Sequence, residues 1–246
     1  MSPRRSAAAR AGAVALFVTV LTGCRGAAGP DPTRLPRVSQ RDWDRARASL
    51  ASARAELPRE PYTLVVSVEM REPRTGRTFS ARGGLAVLPG KSVRLQLLGP
   101  GGATALDAWL TRERFRFDVP AADIHKRGRV DGPDAEGLPV AFFRFWFLSQ
   151  LDGRLLFGKP TREGVYLVLR DGAATVEMFR ASRGGRVEAE RTVGGQTEEL
   201  SVDAWAARPS AGDRALYRAR GGVSASVVIE SIGDEVPDLA AFEEPL

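Results

Sequence analysis

Few side chains in this chain of 246 residues can do covalent or acid–base chemistry. It has one histidine, His125, and one cysteine, Cys24. A nucleophile–His–carboxylate arrangement or a His/Cys metal centre needs more than that, which excludes most catalytic triads and zinc-type sites. His125 sits beside Lys126 and Arg127 in a polar stretch and reads as a solvated residue. Carboxylates are plentiful, and cleavage of a glycosidic bond needs only two of them. The closely spaced ones (Glu188 and Glu190, Glu198 and Glu199, Glu243 and Glu244) fall on expected outer strand faces or at the terminus, where charge keeps a β surface soluble. Gly99–Gly102 lies between two strands instead of opening a helix, as a phosphate loop would. Neither an enzyme nor a metal or cofactor site is expected. The residue set suits holding something apolar.

Cys24 has a distinctive setting. Arg4, Arg5 and Arg10 precede an apolar run from Ala11 to Leu21, and Leu21-Thr22-Gly23-Cys24 follows. The run is too short to span a bilayer and reads as the core of a signal peptide. The four residues resemble the lipobox of bacterial lipoproteins. That resemblance implies removal of residues 1–23 and a covalent lipid, palmitate among its acyl chains, on Cys24 as the new N-terminus. Two acyl chains already give stable anchoring, at ~0.8 kcal/mol per buried methylene. Arg25 stands where lipoproteins retained in the inner membrane commonly carry Asp, which points to the periplasmic face of the outer membrane.

Loss of the signal peptide also changes the charge. Residues 1–23 hold three arginines and no acid, so a net charge of +6 falls to +3, with 33 basic and 30 acidic side chains left. Spread along strand-like segments, that charge makes no case for a nucleic-acid partner, which needs a concentrated basic face. With Cys24 acylated, an exported domain has no disulfide and rests on buried apolar surface. Residues 24–38, rich in Gly, Pro and Arg, read as a flexible tether.

A single domain is expected over 39–246. Ser39 offers an N-cap, and Trp43, Ala46, Leu50, Ala53 and Leu57 recur at helical spacing before Pro58, predicting an amphipathic helix over 39–57. Its stripe packs on a sheet or, alternatively, forms a short coiled-coil dimer. From Tyr62 the period becomes two, and strands follow around 62–70, 79–87, 93–97, 103–110 and 114–119, with a bulge or bend expected at Gly83-Gly84. Residues 120–137 read as a polar loop. Pro139 then opens a helix over 139–151 in which Phe142, Phe143, Phe145, Trp146 and Phe147 leave hardly any polar face, so it is buried or lipid-facing. Seven more strand-like runs, within 154–232, are punctuated by Asp171-Gly172, Gly184-Gly185 and Gly194-Gly195. About a dozen antiparallel strands in one sheet must curl or close.

The stretch Arg94-Leu95-Gln96-Leu97-Leu98-Gly99-Pro100-Gly101-Gly102-Ala103-Thr104 is similar to the strand–Pro-x-Gly–strand stretch of LolB, in the LolA/LolB lipoprotein-sorting superfamily. The Trp43 helix resembles that family's early Trp-bearing helix, the Leu138–Gly153 segment its short hydrophobic helix, and Pro237–Phe242 the end of related lipid-carrying envelope proteins. The resemblance implies a mainly β fold, an incomplete antiparallel barrel with helices lidding an apolar cavity. It further implies acyl chains accepted from a LolA-like periplasmic carrier and delivered to the outer membrane. One departure stands out. The family carries an exposed leucine between the Pro and Gly of this loop, and here the position is Gly101, so the delivery step does not carry over directly. The Phe-rich helix could substitute, or the protein binds lipid without passing it on.

Candidate cavity lining comes from the inward strand positions Leu64, Val66, Val68, Leu85, Val87, Leu95 and Leu97, with Phe142, Phe143, Trp146 and Phe147 as the lid. Each is equally compatible with a filled core, in which case the chain is an accessory or scaffold lipoprotein with a solid barrel.

Overall fold

The structure, a computed structural model, describes residues 38–71, 75–183, 185–202, 209–219 and 222–245, with the backbone alone for Gln196. The lipobox, the tether up to residue 37, Gly184 and Trp205 lie outside the described residues. Helix α1 spans Gln40–Ala55, capped by the Ser39 hydroxyl, which accepts from the Asp42 amide at 3.1 Å. It stops short of the predicted end, leaving Leu57 beyond the last turn but still packed on the core. Ala46, Leu50 and Ala53 form its buried face.

Thirteen strands follow: β1 Tyr62–Arg71, β2 Thr78–Leu88, β3 Ser92–Leu98, β4 Thr104–Thr111, β5 Arg114–Val119, β6 Ile124–Arg129, β7 Arg154–Pro160, β8 Gly164–Asp171, β9 Ala174–Ala181, β10 Val187–Val193, β11 Gln196–Val202, β12 Arg214–Ala219 and β13 Ser224–Ile232. All belong to one antiparallel sheet, ordered β6-β5-β4-β3-β2-β1-β13-β12-β11-β10-β9-β8-β7. Two hairpin-connected meanders thus join through the β1–β13 pair. The edges of the sheet, β6 and β7, are successive in the chain. Alternation decides which face is inside: Leu64, Val66 and Val68 on β1, Leu85 and Val87 on β2, and Leu95 and Leu97 on β3 all point to one apolar core.

Two expectations about strands are corrected. Residues 124–129 form edge strand β6, not loop: with His125, Lys126 and Arg127 exposed, no apolar period marks it, and charge on an edge discourages pairing with other chains. Gly83 and Gly84 keep an unbroken register with both neighbours, so no bulge lies there. Gly83 serves close approach instead, since a Cβ would overlap the Gln96 carbonyl. The register shifts fall at Val65/Val66, Leu97/Leu98 and Leu155/Phe157. Gly194 and Gly195, both at positive φ, make the two-residue β10–β11 turn as expected.

The chain from β6 to β7 crosses from one sheet edge to the other and carries the aromatic segment inside. This segment is shorter than the predicted 139–151 helix: α2 spans Val140–Phe143, then a π-helical turn runs through Arg144–Leu148, closed by the Ser149 amide donating to the Arg144 carbonyl at 3.0 Å. It packs on β2, β3 and β4, while the Phe142 ring meets Tyr217 of β12 at 5.4 Å. Touching both meanders, it fills the curl of the sheet. Helix α1 packs on the inner face of β7 and β8, on the side of Leu167, with Ala46, Leu50 and Ala53 joining the core, and Gly158 makes room for it: a Cβ there would lie 2.5 Å from that of Ala46. The last residues cross the outer face of β3–β5, where Trp109 Nε1 and the Ser92 hydroxyl donate to the Phe242 carbonyl and Arg116 to that of Pro245.

Candidate functional site

All eleven candidate lining residues fall in one cluster, and each is at most 6% exposed. The four lid side chains form a continuous aromatic stack. Phe142 meets Phe143 edge-on at 5.0 Å and Trp146 at 5.4 Å, while Phe147 stacks on Trp146 at 4.9 Å and on Phe143 at 6.4 Å. Such pairs add ~0.5–1.5 kcal/mol each beyond the area they bury. The segment therefore plugs the interior, and its rings do not present an apolar surface to a membrane in this state. Arg144, within the same turn, is buried too: it donates to the Arg112 carbonyl at 2.9 Å and to Asp171 at 2.9 Å.

Open space lies beside the plug. A cleft of about 510 Å³ is bounded by residues 130–138, which follow β6, and by the inner ends of β10, β11 and β12. That volume is within the ~300–1,000 Å³ usual for small-ligand sites. Its apolar lining includes Val130, Leu138, Val193 and Val223. Ala141 of α2 borders it, but none of the eleven candidates does. Behind it lies a recess of about 20 Å³ lined by Phe142, Phe145, Ala189 and Leu200. Arg191, Glu198 and Tyr217 belong to the walls of both.

These three form a polar group, buried at Arg191, that reaches the exposed Asp131. Arg191 is nearly buried; its Nη2 pairs with Asp131 and its Nη1 lies 3.4 Å from Glu198. The Tyr217 hydroxyl donates to Glu198 at 3.0 Å. Burial pushes the Glu198 carboxyl above its usual pKa, against the opposing pull of Arg191 and the Tyr217 hydrogen bond. The Tyr217 phenol is likewise raised by burial and by Glu198. Asp131 thereby ties the 130–138 segment to β10.

Sequence reasoning placed Glu198 on an outer face, and the structure corrects this. Glu198 shares the inward register of Leu200 and Val202, while Glu199 is exposed and faces Glu190, which in turn faces Glu177. Adjacent strand residues point to opposite faces, so Glu198 and Glu199 form no carboxylate pair. Burial and then the like charges of Glu177 and Glu199 raise the Glu190 pKa. Arg191 was missed as well. The signal was its place in Val187-x-Ala189-x-Arg191, where an inward series ends on a charge. His125 lies on the exposed outer edge, its Nδ1 3.0 Å from Asp118. Among the described residues no three His, Cys, Asp or Glu side chains are placed to hold a metal ion, and no helix is long and apolar enough to cross a membrane.

No family model and no curated protein matches the sequence. Solved structures do match in fold. A LolA superfamily protein from Nitrosomonas europaea aligns at TM-score 0.52 and 12% identity, over 81% of this chain and 97% of the other. A domain described as a putative outer membrane lipoprotein-sorting protein, from Vibrio parahaemolyticus, aligns at TM-score 0.50 and 10% identity, over 81% and 96%. A DUF1329 family protein from Desulfovibrio piger does so at TM-score 0.50 and 10% identity, over 82% and 97%. Near-complete coverage of those chains by a single curled sheet with its inner helix gives the conclusion: this chain has the fold of the LolA superfamily.

Proposed function

We propose that this chain is a lipid-anchored protein of the periplasmic face of the outer membrane that takes acyl chains of lipoproteins or other lipids into its curled sheet, as a LolB-like receptor of a LolA-like carrier. The observation that supports the reading is the plug: one aromatic segment fills the interior of a sheet whose fold is shared with a domain described as a putative outer membrane lipoprotein-sorting protein, beside an open cleft. Binding would be an exchange. An acyl chain entering from the cleft would take the place of Phe142, Phe143, Trp146 and Phe147 in the core they share with Leu64, Val66, Val68, Leu85, Val87, Leu95 and Leu97. Each methylene enclosed contributes ~0.8 kcal/mol, with no reacting group required. Cys24, through its lipid, would keep the protein on the membrane that receives the cargo.

Delivery is the weaker step. Gly101 occupies the tip of the β3–β4 turn at φ 75° with no atom near its missing Cβ, so the position offers backbone alone. Leu98, at the end of β3 and 47% exposed, is a large apolar side chain three residues earlier. One observation favours the alternative of an accessory or scaffold lipoprotein with a solid barrel: the eleven inner residues are already fully packed. A single experiment separates the two. The full chain with Cys24→Ala is purified, extracted for co-purifying lipid and titrated with a fluorescent acyl probe. Lipid in the extract or saturable uptake supports the receptor, and neither would leave the scaffold.

A further inference from the structure

Among the described residues one buried side-chain donor is left unmet, at the boundary between the cleft and the apolar recess. Arg191 uses both terminal nitrogens, on Asp131 and Glu198, while its Nε–H is buried without a hydrogen-bond partner among the described residues. A guanidinium stays charged in a protein, and a buried N–H is nearly always satisfied, so the orphan points to an acceptor brought by a ligand. The surroundings say what kind. On the inner side lie Phe142, Phe145, Ala189 and Leu200, a lining for hydrocarbon. On the outer side, Asp131, Glu136 and Glu198 face the cleft with Arg191 as the only cation among its lining residues, so the rim disfavours an anionic head. A neutral acceptor joined to a hydrocarbon chain on one side and a polar, non-anionic group on the other is an acyl ester or amide.

We propose that Arg191 recognises the acyl carbonyl of the bound lipid, Nε–H donating to its oxygen, with the chain directed past Phe142 and Phe145 and a neutral or cationic head left in the cleft. This rests on the acyl-binding reading above and adds the class of ligand and the residue that selects it. Arg191 would act by a hydrogen bond and position, with no bond made or broken.

The test compares three probes of equal chain length in competition with a fluorescent acyl probe on the full chain carrying Cys24→Ala. Monopalmitoylglycerol has the ester carbonyl, hexadecylglycerol ether lacks it, and palmitate replaces it with a carboxylate. The ester is expected to bind about tenfold more tightly than the ether, the worth of one hydrogen bond to a charged donor. Arg191→Lys keeps the charge between Asp131 and Glu198 but removes the fixed Nε donor, so the ester-to-ether ratio should fall to near one. A purely structural Arg191 would weaken both ligands alike. Equal binding of ester and ether by the unaltered chain overturns the inference even if the Lys variant fails to fold, and so does a clear preference for palmitate, which would mean recognition of charge. In both cases acyl binding itself stands. If none of the three binds, the acyl-binding reading falls and this inference with it.

Discussion

Trp146 reports directly on whether the plug moves. It is buried between Phe142 and Phe147, and it is one of four tryptophans. Replacing Trp43, Trp109 and Trp205 with Phe isolates its emission; Trp109→Phe also removes the hydrogen bond to Phe242, so the fold is checked by circular dichroism. On the exchange mechanism a brominated acyl ligand saturably quenches Trp146, because the chain takes the place of the neighbouring rings. Phe143→Ala then gives a magnitude. With Phe143 fully buried, truncation costs ~3–5 kcal/mol. For a domain of this size that lowers Tm by roughly 6–20 °C, at ~2–4 °C per kcal/mol. The void it leaves is apolar, and a ligand filling it stabilises by mass action: at a hundred times Kd it returns ~2.7 kcal/mol, most of the lower figure. Scanning calorimetry with and without ligand reads both numbers. A Trp146 signal that no brominated acyl ligand quenches, together with a Phe143→Ala loss that no acyl ligand restores, would refute exchange and leave a solid barrel.

Cys24→Ala should release the chain from membranes, and finding it still there after a high-salt wash would refute the lipobox reading. Gly158→Ala should drive α1 from β7, costing ~1–3 kcal/mol in urea unfolding, because its Cβ meets Ala46 where neither backbone can retreat easily; an unchanged midpoint would show that α1 is loosely docked. Glu198→Gln tests the polar group around Arg191 through pH. A carboxyl raised by burial binds its proton more tightly in the folded chain, so its contribution is fully present below the usual value of about 4.5 and is lost as pH rises through the folded value. The stability of the unaltered chain relative to Glu198→Gln should therefore shrink from pH 4.5 towards neutrality, measured by thermal unfolding. A gap that widens would mean that Arg191 holds Glu198 ionised.

The sheet was legible because its strands are covered on one face. Leu64-Val66-Val68, Leu85-Val87 and Leu95-Leu97 announce both the strand and its inner side, and the glycine pairs announce the turns. Where one-sided burial fails, so did the reading. On edge strand β6 the side chains at 125–127 are all wet, leaving no period to detect. On the 140–148 segment all are buried, and an aromatic run without a polar side gives no phase from which to tell α from π geometry or to find its end. The cleft was illegible for another reason. Asp131, Arg191 and Glu198 are far apart or differently paired in sequence, and only the curl of the sheet brings the start of the β6–β7 connection against β10 and β11. A charge at the end of an inward apolar series, as at Arg191, is the trace such a site leaves.

That connection is held in place by charge and filled by apolar burial. Its position is fixed by charge: Asp131 to Arg191 at its start, and Arg144 to Asp171 and the Arg112 carbonyl at its middle. The buried Arg144–Asp171 pair adds little net stability over an apolar replacement yet is costly to break, and the Asp131 end is exposed, so these pairs specify place more than they supply energy. The energy comes from Phe142, Phe143, Trp146 and Phe147 packed on aliphatic strands, and apolar burial is non-directional. Hydrocarbon can replace ring in an aliphatic core at similar free energy, whereas nothing apolar replaces Asp131 on Arg191. On the acyl-binding reading, cargo therefore competes with the rings while the ion pairs keep the segment in reach. A sheet in water requires a filled interior, and on that reading the packing of a solid core is also what would make the exchange nearly balanced.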